Sequence, residues 1–289
     1  MPAAVRPPGP SRARGGLGMG NLVRSWWRTR GPRGASAAES RSLVERFLFR
    51  PARYPDGDWH PTALDFVDVF FRASDGTPLH GWWCPALRPR AVVLVCHGNG
   101  GHVAFRQAWL AALQTVLRVS VFAFDYRGYG RSGGVPTVRG VLDDAAAARC
   151  VAADRGGVEV ERVVLMGESL GGAVAVRLAV ATAPRGLVLQ STFTRVRDVA
   201  RMHFPLLGRL VPGDLLDSER ALARLACPLL VSHGDADRLI PFSHARALFA
   251  AAGNASQPRA LVRLRGADHD DWITPTYLDA LDSFLDRLP

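Results

Sequence analysis

Two stretches of the chain, "GYGRSGG" (residues 128–134) and "LMGESLGGA" (residues 165–173), each contain Gly-x-Ser-x-Gly. The pattern suits a serine nucleophile on a sharp strand-to-helix turn, where glycines let strained and closely approaching backbone pass. Context separates the two. Ser169 follows the apolar run "RVVLM" across only Gly167 and Glu168 and precedes "LGGAVAVRLAVATA", a helix with small residues where it meets the preceding strand. Ser132 lies in "DYRGYGRSGGVP", well past its strand, with Pro136 after it instead of a helix core. Ser169 is therefore the nucleophile expected here, and Ser132 a loop residue. The same loop also spells G-x-G-x-x-G. A dinucleotide site needs those glycines tight between strand and helix with an acid ending the next strand, and here Asp143 and Asp144 fall in a helical stretch instead.

A serine hydroxyl attacks a carbonyl only when a histidine takes its proton and a carboxylate orients that histidine. Two later loops carry such groups. "PLLVSHGDADRLIP" sets Asp235 and Asp237 just after an apolar run, and "ALVRLRGADHDDW" sets His269 after the last one. The residue after the nucleophile, Leu170, opens a helix, so its backbone N–H is a candidate oxyanion donor. His97 and His233 each end a strand before Gly and read as structural hydrogen-bonding groups. His102 reads as a loop or helix-start residue, and Asp125 as a tie for the "YRGYG" turn.

The elements that must position these groups alternate. "TALDFVDVFFRA", the turn "SDGTP" and "LHGWWC" predict an antiparallel hairpin, with Trp82 and Trp83 packed in it. Short apolar runs then follow, "AVVLVCHG", "VSVFAFDYRG", "VVLMGES", "GLVLQS", "PLLVSHGD" and "ALVRLRGAD", as expected for strands buried on both faces of a parallel sheet. Helical patterns fill the gaps: "FRQAWLAALQTVL", "VRGVLDDAAAARCVAAD", "LGGAVAVRLAVATA", "SHARALFAAAG" and "TPTYLDALDSFLDRLP". The last has Thr274 as its cap and Pro275 in the first turn. The alternation predicts a doubly wound, mostly parallel α/β sheet with an antiparallel start, whose working face is the loops at the strand C-termini. All the chemical motifs fall on those loops.

With "HGNGG", "FDYRGYGRSGG", "GESLGG", "HGDADRLIP" and "GADHDD" in this order, residues 60–289 resemble an α/β-hydrolase-fold serine hydrolase, of the serine aminopeptidase-like and palmitoyl-thioesterase-like branch. The resemblance implies the α/β-hydrolase fold, the acid at Asp237 in place of Asp235, the histidine at His269, and Asn99 as the second oxyanion donor beside Leu170. Asp268 departs from the pattern, which more often has Gly there. An adjacent carboxylate is expected to raise the His269 pKa. Residues 191–226 fall where the fold carries its lid, too short for a large cap, so the site is expected to be fairly open. Met202–Leu207 are candidates either to line an acyl pocket or to pack as a lid helix. The expected activity is cleavage of a carboxylic ester or thioester bond in a small-molecule substrate. An open site with apolar lining favours an esterase, thioesterase or lysophospholipase that takes medium or long acyl chains. A peptidase of the same fold and a non-catalytic binding protein stand as alternatives. No cofactor and no metal are expected.

Composition bounds the rest. The net charge is +10, but residues 1–50 hold ten Arg against Glu39 and Glu45, which leaves the other 239 residues near neutral at +2. Residues 1–40 are expected to be a disordered basic tail, rich in Arg, Gly and Pro, ahead of a hydrolase domain over 41–289. Its "LVRSWWRTR" patch reads first as part of a solvated tail with a short segment folding back on the domain, and second, through Trp26 and Trp27 among arginines, as a weak contact for an anionic membrane surface. Met19 is a second candidate start. The charge is local to the tail, so nucleic acid is not an expected partner. The chain contains no lysine, which excludes a Walker-type phosphate loop, a pyridoxal Schiff base and a Ser-Lys dyad. Four widely spaced cysteines, Cys84, Cys96, Cys150 and Cys227, read as reduced thiols of a cytoplasmic protein, peripheral at the membrane at most.

Overall fold

Runs of β-branched and aromatic residues bounded by Gly and Asp become the strands, and each falls where its run predicts. The computed structural model describes residues 42–271 and 273–289. The tail expected over 1–40 lies outside the described residues. Strands β1 (Val67–Arg72), β2 (Pro78–Cys84), β3 (Val92–Cys96), β4 (Ser120–Asp125), β5 (Val164–Glu168), β6 (Leu187–Gln190), β7 (Leu229–Gly234) and β8 (Arg259–Leu264) form one sheet in the order β1-β2-β4-β3-β5-β6-β7-β8. β1 and β2 are the antiparallel hairpin, and β2 also pairs antiparallel with β4. All later pairings are parallel. This is the α/β-hydrolase architecture.

The period-two alternation of each strand divides its side chains between two cores. Leu94, Phe122, Phe124, Leu165, Leu189 and Val231 face one side, while Val93, Val95, Val121, Met166, Val188 and Leu230 face the other. The first face is covered by α3 (Val138–Gly156), α4 (Leu170–Ala181), α6 (Ser218–Leu222) and α7 (Ser243–Ala251). Over the second lie α2 (Gln107–Ala111) and α8 (Pro275–Asp286). Both faces are therefore dry, which is why the strands read as continuous apolar runs. Trp83 enters the first core and Trp82 the second, so the pair packs the hairpin on both sides.

Two local readings differ from expectation. "FRQAWLAALQTVL" is not one regular helix: α2 widens after Ala111 into a π turn over Ala112–Val116. The wider turn keeps Leu113 and Gln114 both buried, and Gln114 bonds the backbone of Asp65 and Pro85. A short helix not anticipated from the sequence, α1 (Leu43–Leu48), precedes the hairpin. Ser42 and Glu45 cap it reciprocally. In the lid region lie α5 (Val196–His203), a 3-10 turn and α6. Among the described residues no helix is long and apolar enough to cross a membrane.

The "DYRGYGRSGG" loop is held by charge. Arg127 grips Asp144 of α3 through Nε and Nη2, at 2.9 and 2.7 Å, and reaches Asp75 in the hairpin turn with Nη1 at 2.7 Å. Asp144 is fully buried. Removing one member of a buried pair costs about 3–5 kcal/mol when the other's charge is left unpaired, and less here, where Arg127 keeps Asp75. Asp144→Ala is therefore expected to lower the urea midpoint by less than that equivalent, with the unfolding slope unchanged, in equilibrium denaturation.

Candidate active site

The turn at Ser169 joins β5 to α4 with no spare residue. Ser169 has φ 52° and ψ −115°, a region that side-chain-bearing residues rarely occupy. Its N–H donates to the Gln190 carbonyl at 2.8 Å, and its own carbonyl accepts from Gly172 N–H at 3.1 Å. The glycines are needed for contact. A Cβ on Gly167 would sit 2.4 Å from the Gly171 carbonyl oxygen, and one on Gly171 would sit 2.0 Å from that of Cys96. Strand β5, helix α4 and the end of β3 thus meet at backbone distance, with the serine side chain on the outside of the bend.

The other expected groups converge there. His269 Nε2 lies 3.2 Å from Ser169 Oγ, and His269 Nδ1 lies 2.8 Å from Asp237 Oδ2. Asp237 is anchored by the N–H groups of Leu239 and Ile240 on its Oδ1. His233, at the end of β7, is a second partner: its Nε2 lies 3.0 Å from Asp237 Oδ2 and 2.6 Å from the Ile240 carbonyl. Burial works against charge on Asp237, but bonds from His233, His269 and Ile240 N–H outweigh it and hold the carboxyl well below the usual carboxylate range. Burial likewise depresses His269, yet the hydrogen bond and charge of Asp237, followed by the charges of Asp270 and Glu168, raise its pKa above the ordinary imidazole value. Asp268, expected to be the source of that rise, is turned away. Its carboxylate accepts from the backbone of Arg238 and His269 and pairs with the Arg238 guanidinium. Asp235 is occupied elsewhere too, accepting from Gly266 N–H at 2.7 Å and Arg263 Nε at 2.8 Å.

The two expected oxyanion donors flank the serine turn in sequence and topology: Leu170 opens α4, and Asn99 follows β3, which pairs with β5. Neither backbone N–H has a hydrogen-bond partner among the described residues. The Asn99 side chain is pinned, its Nδ2 donating to the Leu48 carbonyl at 2.6 Å and its Oδ1 accepting from Arg50 N–H at 2.9 Å and Tyr129 OH at 2.8 Å. Helix α1 thus ends against this loop, and sequence reasoning had no local signal for it. A second unforeseen feature is the buried Glu168, directly before Ser169, which Arg106 meets through Nε at 2.8 Å.

Ser132 does different work. Its buried hydroxyl donates to the Asp125 carbonyl at 2.7 Å and accepts from His80 N–H at 2.9 Å, tying the loop to β2. Asp125 reaches further than the turn it was expected to hold: its carboxylate accepts from Val103 N–H and meets His80 Nδ1. His102 precedes the 3-10 turn, its carbonyl accepting from Phe105 N–H, and its ring stacks on Trp59. Burial pushes His97 down to about 4, so it is neutral, with Nδ1 held to the Gly98 carbonyl. In the lid region, Met202, Phe204 and Leu206 stand largely exposed (44, 63 and 78 %) rather than packed on the core. His203 Nε2 meets the Leu239 carbonyl at 2.9 Å, linking α5 to the Asp237 loop.

A strand-to-helix serine turn in a sheet of this order, with acid and histidine loops following it in sequence, defines a class. The chain belongs to the α/β-hydrolase-fold serine hydrolases. Residues 87–220 match the model of the serine aminopeptidase family S33. The uncharacterized protein YfhR of Salmonella typhimurium is 32% identical over 266 residues, covering 84% of this chain and 89% of its own. The α/β hydrolase domain-containing protein 17C of Xenopus tropicalis is 30% identical over 258 residues, covering 87% and 78%. The Pyrococcus furiosus esterase Pf2001 shares the fold, with TM-score 0.67 over 83% of this chain and 97% of that one at 20% identity.

The two Gly-x-Ser-x-Gly sites should respond differently to small changes. Gly171→Ala drives a methyl into the Cys96 carbonyl, and overpacking of this kind costs about 1–3 kcal/mol. We expect a lower melting temperature together with slower labelling by a fluorophosphonate. Ser132→Ala should label at the wild-type rate, since it alters only the loop's tie to β2.

Proposed function

We propose that this hydrolase cleaves carboxylic ester or thioester bonds through Ser169, His269 and Asp237, by way of an acyl-enzyme. The observation that carries this reading is the unbroken chain from Ser169 Oγ to His269 Nε2 (3.2 Å) and from His269 Nδ1 to Asp237 Oδ2 (2.8 Å). Ser169 Oγ adds to the substrate carbonyl as its proton passes to His269 Nε2. The oxyanion takes the N–H groups of Asn99 and Leu170. Collapse expels the alcohol or thiol with that proton and leaves an ester on Ser169. Water then repeats the sequence: His269 deprotonates it, the second tetrahedral intermediate breaks, and the carboxylic acid leaves with Ser169 restored. Asp237, held charged by its donors, keeps Nδ1–H facing it and steadies the imidazolium.

The exposed Met202, Phe204 and Leu206, on the segment that His203 ties to the Leu239 carbonyl of the Asp237 loop, support an acyl chain of medium or long length as the group recognised. The name of the matching family favours a second reading, removal of N-terminal residues from peptides. An ester-length series set against aminoacyl anilides separates the two. The basic tail is assigned weak contact with an anionic membrane surface, and nucleic acid no role. The four free cysteines, three of them buried, support a cytoplasmic setting.

Fluorophosphonate should label the wild type and fail on Ser169→Ala. A folded wild type that neither labels nor turns over would instead make this a binding protein of the same fold. Asp237→Asn is expected to cut kcat by about 10⁴-fold, as loss of the orienting acid does elsewhere. The proton on His269 must be absent for attack, and its pKa is raised. The acid limb of kcat/KM should therefore lie above the ordinary imidazole value of about 6.5, with activity increasing as pH rises through it.

A further inference from the structure

We propose that Arg106 is a positioning residue: by binding Glu168 and the Gly100 carbonyl at once, it locks the loop carrying Asn99 onto the serine turn. The proposal rests on the hydrolase reading above.

A carboxylate directly before a nucleophile demands an explanation. Glu168 is 4% exposed, and a buried charge is costly unless paired and hydrogen-bonded. Any small apolar residue would have completed β5 without that cost. What Glu168 does is gather groups from one place, the loop after β3. Arg106 Nε donates to its Oε2 at 2.8 Å and Arg106 Nη2 to its Oε1 at 3.3 Å. Gly98 N–H points at Oε2 from 3.4 Å, and a Cβ on Gly98 would fall 2.8 Å from Oε1. The carboxylate therefore fills the space beside Gly98, the residue before Asn99.

The guanidinium reaches the other side. Arg106 Nη2 also donates to the Gly100 carbonyl at 2.9 Å, so Asn99 sits between two residues, Gly98 and Gly100, each engaged by this pair. The loop needs such restraint. Gly98, Gly100 and Gly101 give it wide conformational freedom, and Gly101 has φ +74°. Arg106 itself is well placed to impose it, because its backbone joins the 3-10 turn to α2, with N–H to Val103 and carbonyl to Leu110. Its planar fork fits this double grip. One guanidinium makes parallel bonds to a carboxylate and keeps an N–H for a carbonyl, which an ammonium cannot do in the same geometry. Arg106 touches neither Ser169 nor His269 in any hydrogen bond among the described residues, so its bonds act through the placement of the Asn99 N–H. Because the charge of its partner Glu168 also bears on His269, kcat is compared on the pH plateau of each variant.

A misplaced oxyanion donor harms the transition state and spares substrate binding. Losing such a donor outright costs about 10²–10³ in kcat, and a loosened one should cost less. For Arg106→Ala we expect kcat to fall by about 10–100-fold with KM within about twofold, on a p-nitrophenyl ester. The inhibition constant of an alkyl boronic acid, which forms a tetrahedral adduct on the serine, should rise in proportion to the loss in kcat. Arg106→Lys, which keeps the charge but not the fork, should fall between. Arg106→Ala leaves Glu168 stranded, so the double variant R106M/E168Q, which removes both charges, serves as the check on folding, with circular dichroism. Its kcat should be low as well.

A folded Arg106→Ala or double variant with wild-type kcat overturns the proposal. So does a loss in kcat with no change in boronic acid affinity. If the double variant does not fold, the bridge is a requirement of the fold and the positioning role is wrong. Failure of the hydrolase reading shows separately, as a wild type that is inert and unlabelled, and takes the proposal with it.

Discussion

Ser169 holds its backbone at φ 52°, ψ −115°, in a region that costs a side-chain-bearing residue on the order of 1–3 kcal/mol. The rest of the site depends on that bend being kept. It is kept because the chain around it has nowhere else to go. β5 is paired on both sides, Ser169 N–H is tied to Gln190, and Gly171 abuts the Cys96 carbonyl so closely that strand and helix act as one piece. The bend in turn decides which atoms are free. It turns the hydroxyl out of the sheet, leaves the Leu170 N–H at the head of a helix without a hydrogen-bond partner among the described residues, and sets β3's loop next to both. A relaxed serine would lose these together.

Polar groups around the bend form two hydrogen-bonded networks, linked only by the charge of Glu168 on His269. One runs from Ser169 through His269 to Asp237 and on to His233, and its acid is surrounded by donors: two imidazoles and two N–H groups. That surplus explains how a buried carboxylate stays ionised while its histidine partner is biased towards the protonated form. The other joins Glu168 to Arg106 beneath the loop that bears Asn99. Both are anchored at the C-terminal edges of neighbouring parallel strands, the place where sheets of this topology leave room for polar groups. Asp268 shows how local the arrangement is. It adjoins His269 in sequence, yet Arg238 claims it, and Asp270 and Glu168 contribute more to the histidine's charge.

Much of this was legible from the residues. Strand positions followed from continuous apolar runs, because burial on both faces leaves no polar alternation to confuse them. Ser169 separated from Ser132 on the strand before and the helix after. The choice of Asp237 over Asp235 was not available from spacing, since both sit on one loop two residues apart, and it came from the resemblance. Geometry distinguishes them physically: Asp235 is drawn to Arg263 and Gly266. The contacts that stayed hidden are those between residues far apart in the chain with no periodic signature. Arg106 and Glu168 are 62 residues apart, and Leu48 and Asn99 are 51. Helix α1, six residues long, is too short for an apolar period to announce it.

That short helix extends the working face back beyond the first strand. The Asn99 carboxamide is read on both edges by Leu48 and Arg50, much as one strand reads another, so the segment before β1 helps to hold the loop that follows β3. Trimming the chain to its sheet would remove the segment that holds the Asn99 side chain. In comparisons among relatives, the few residues around Leu48 belong in the alignment with the motif loops, and a sequence that diverges there marks a change in the site itself.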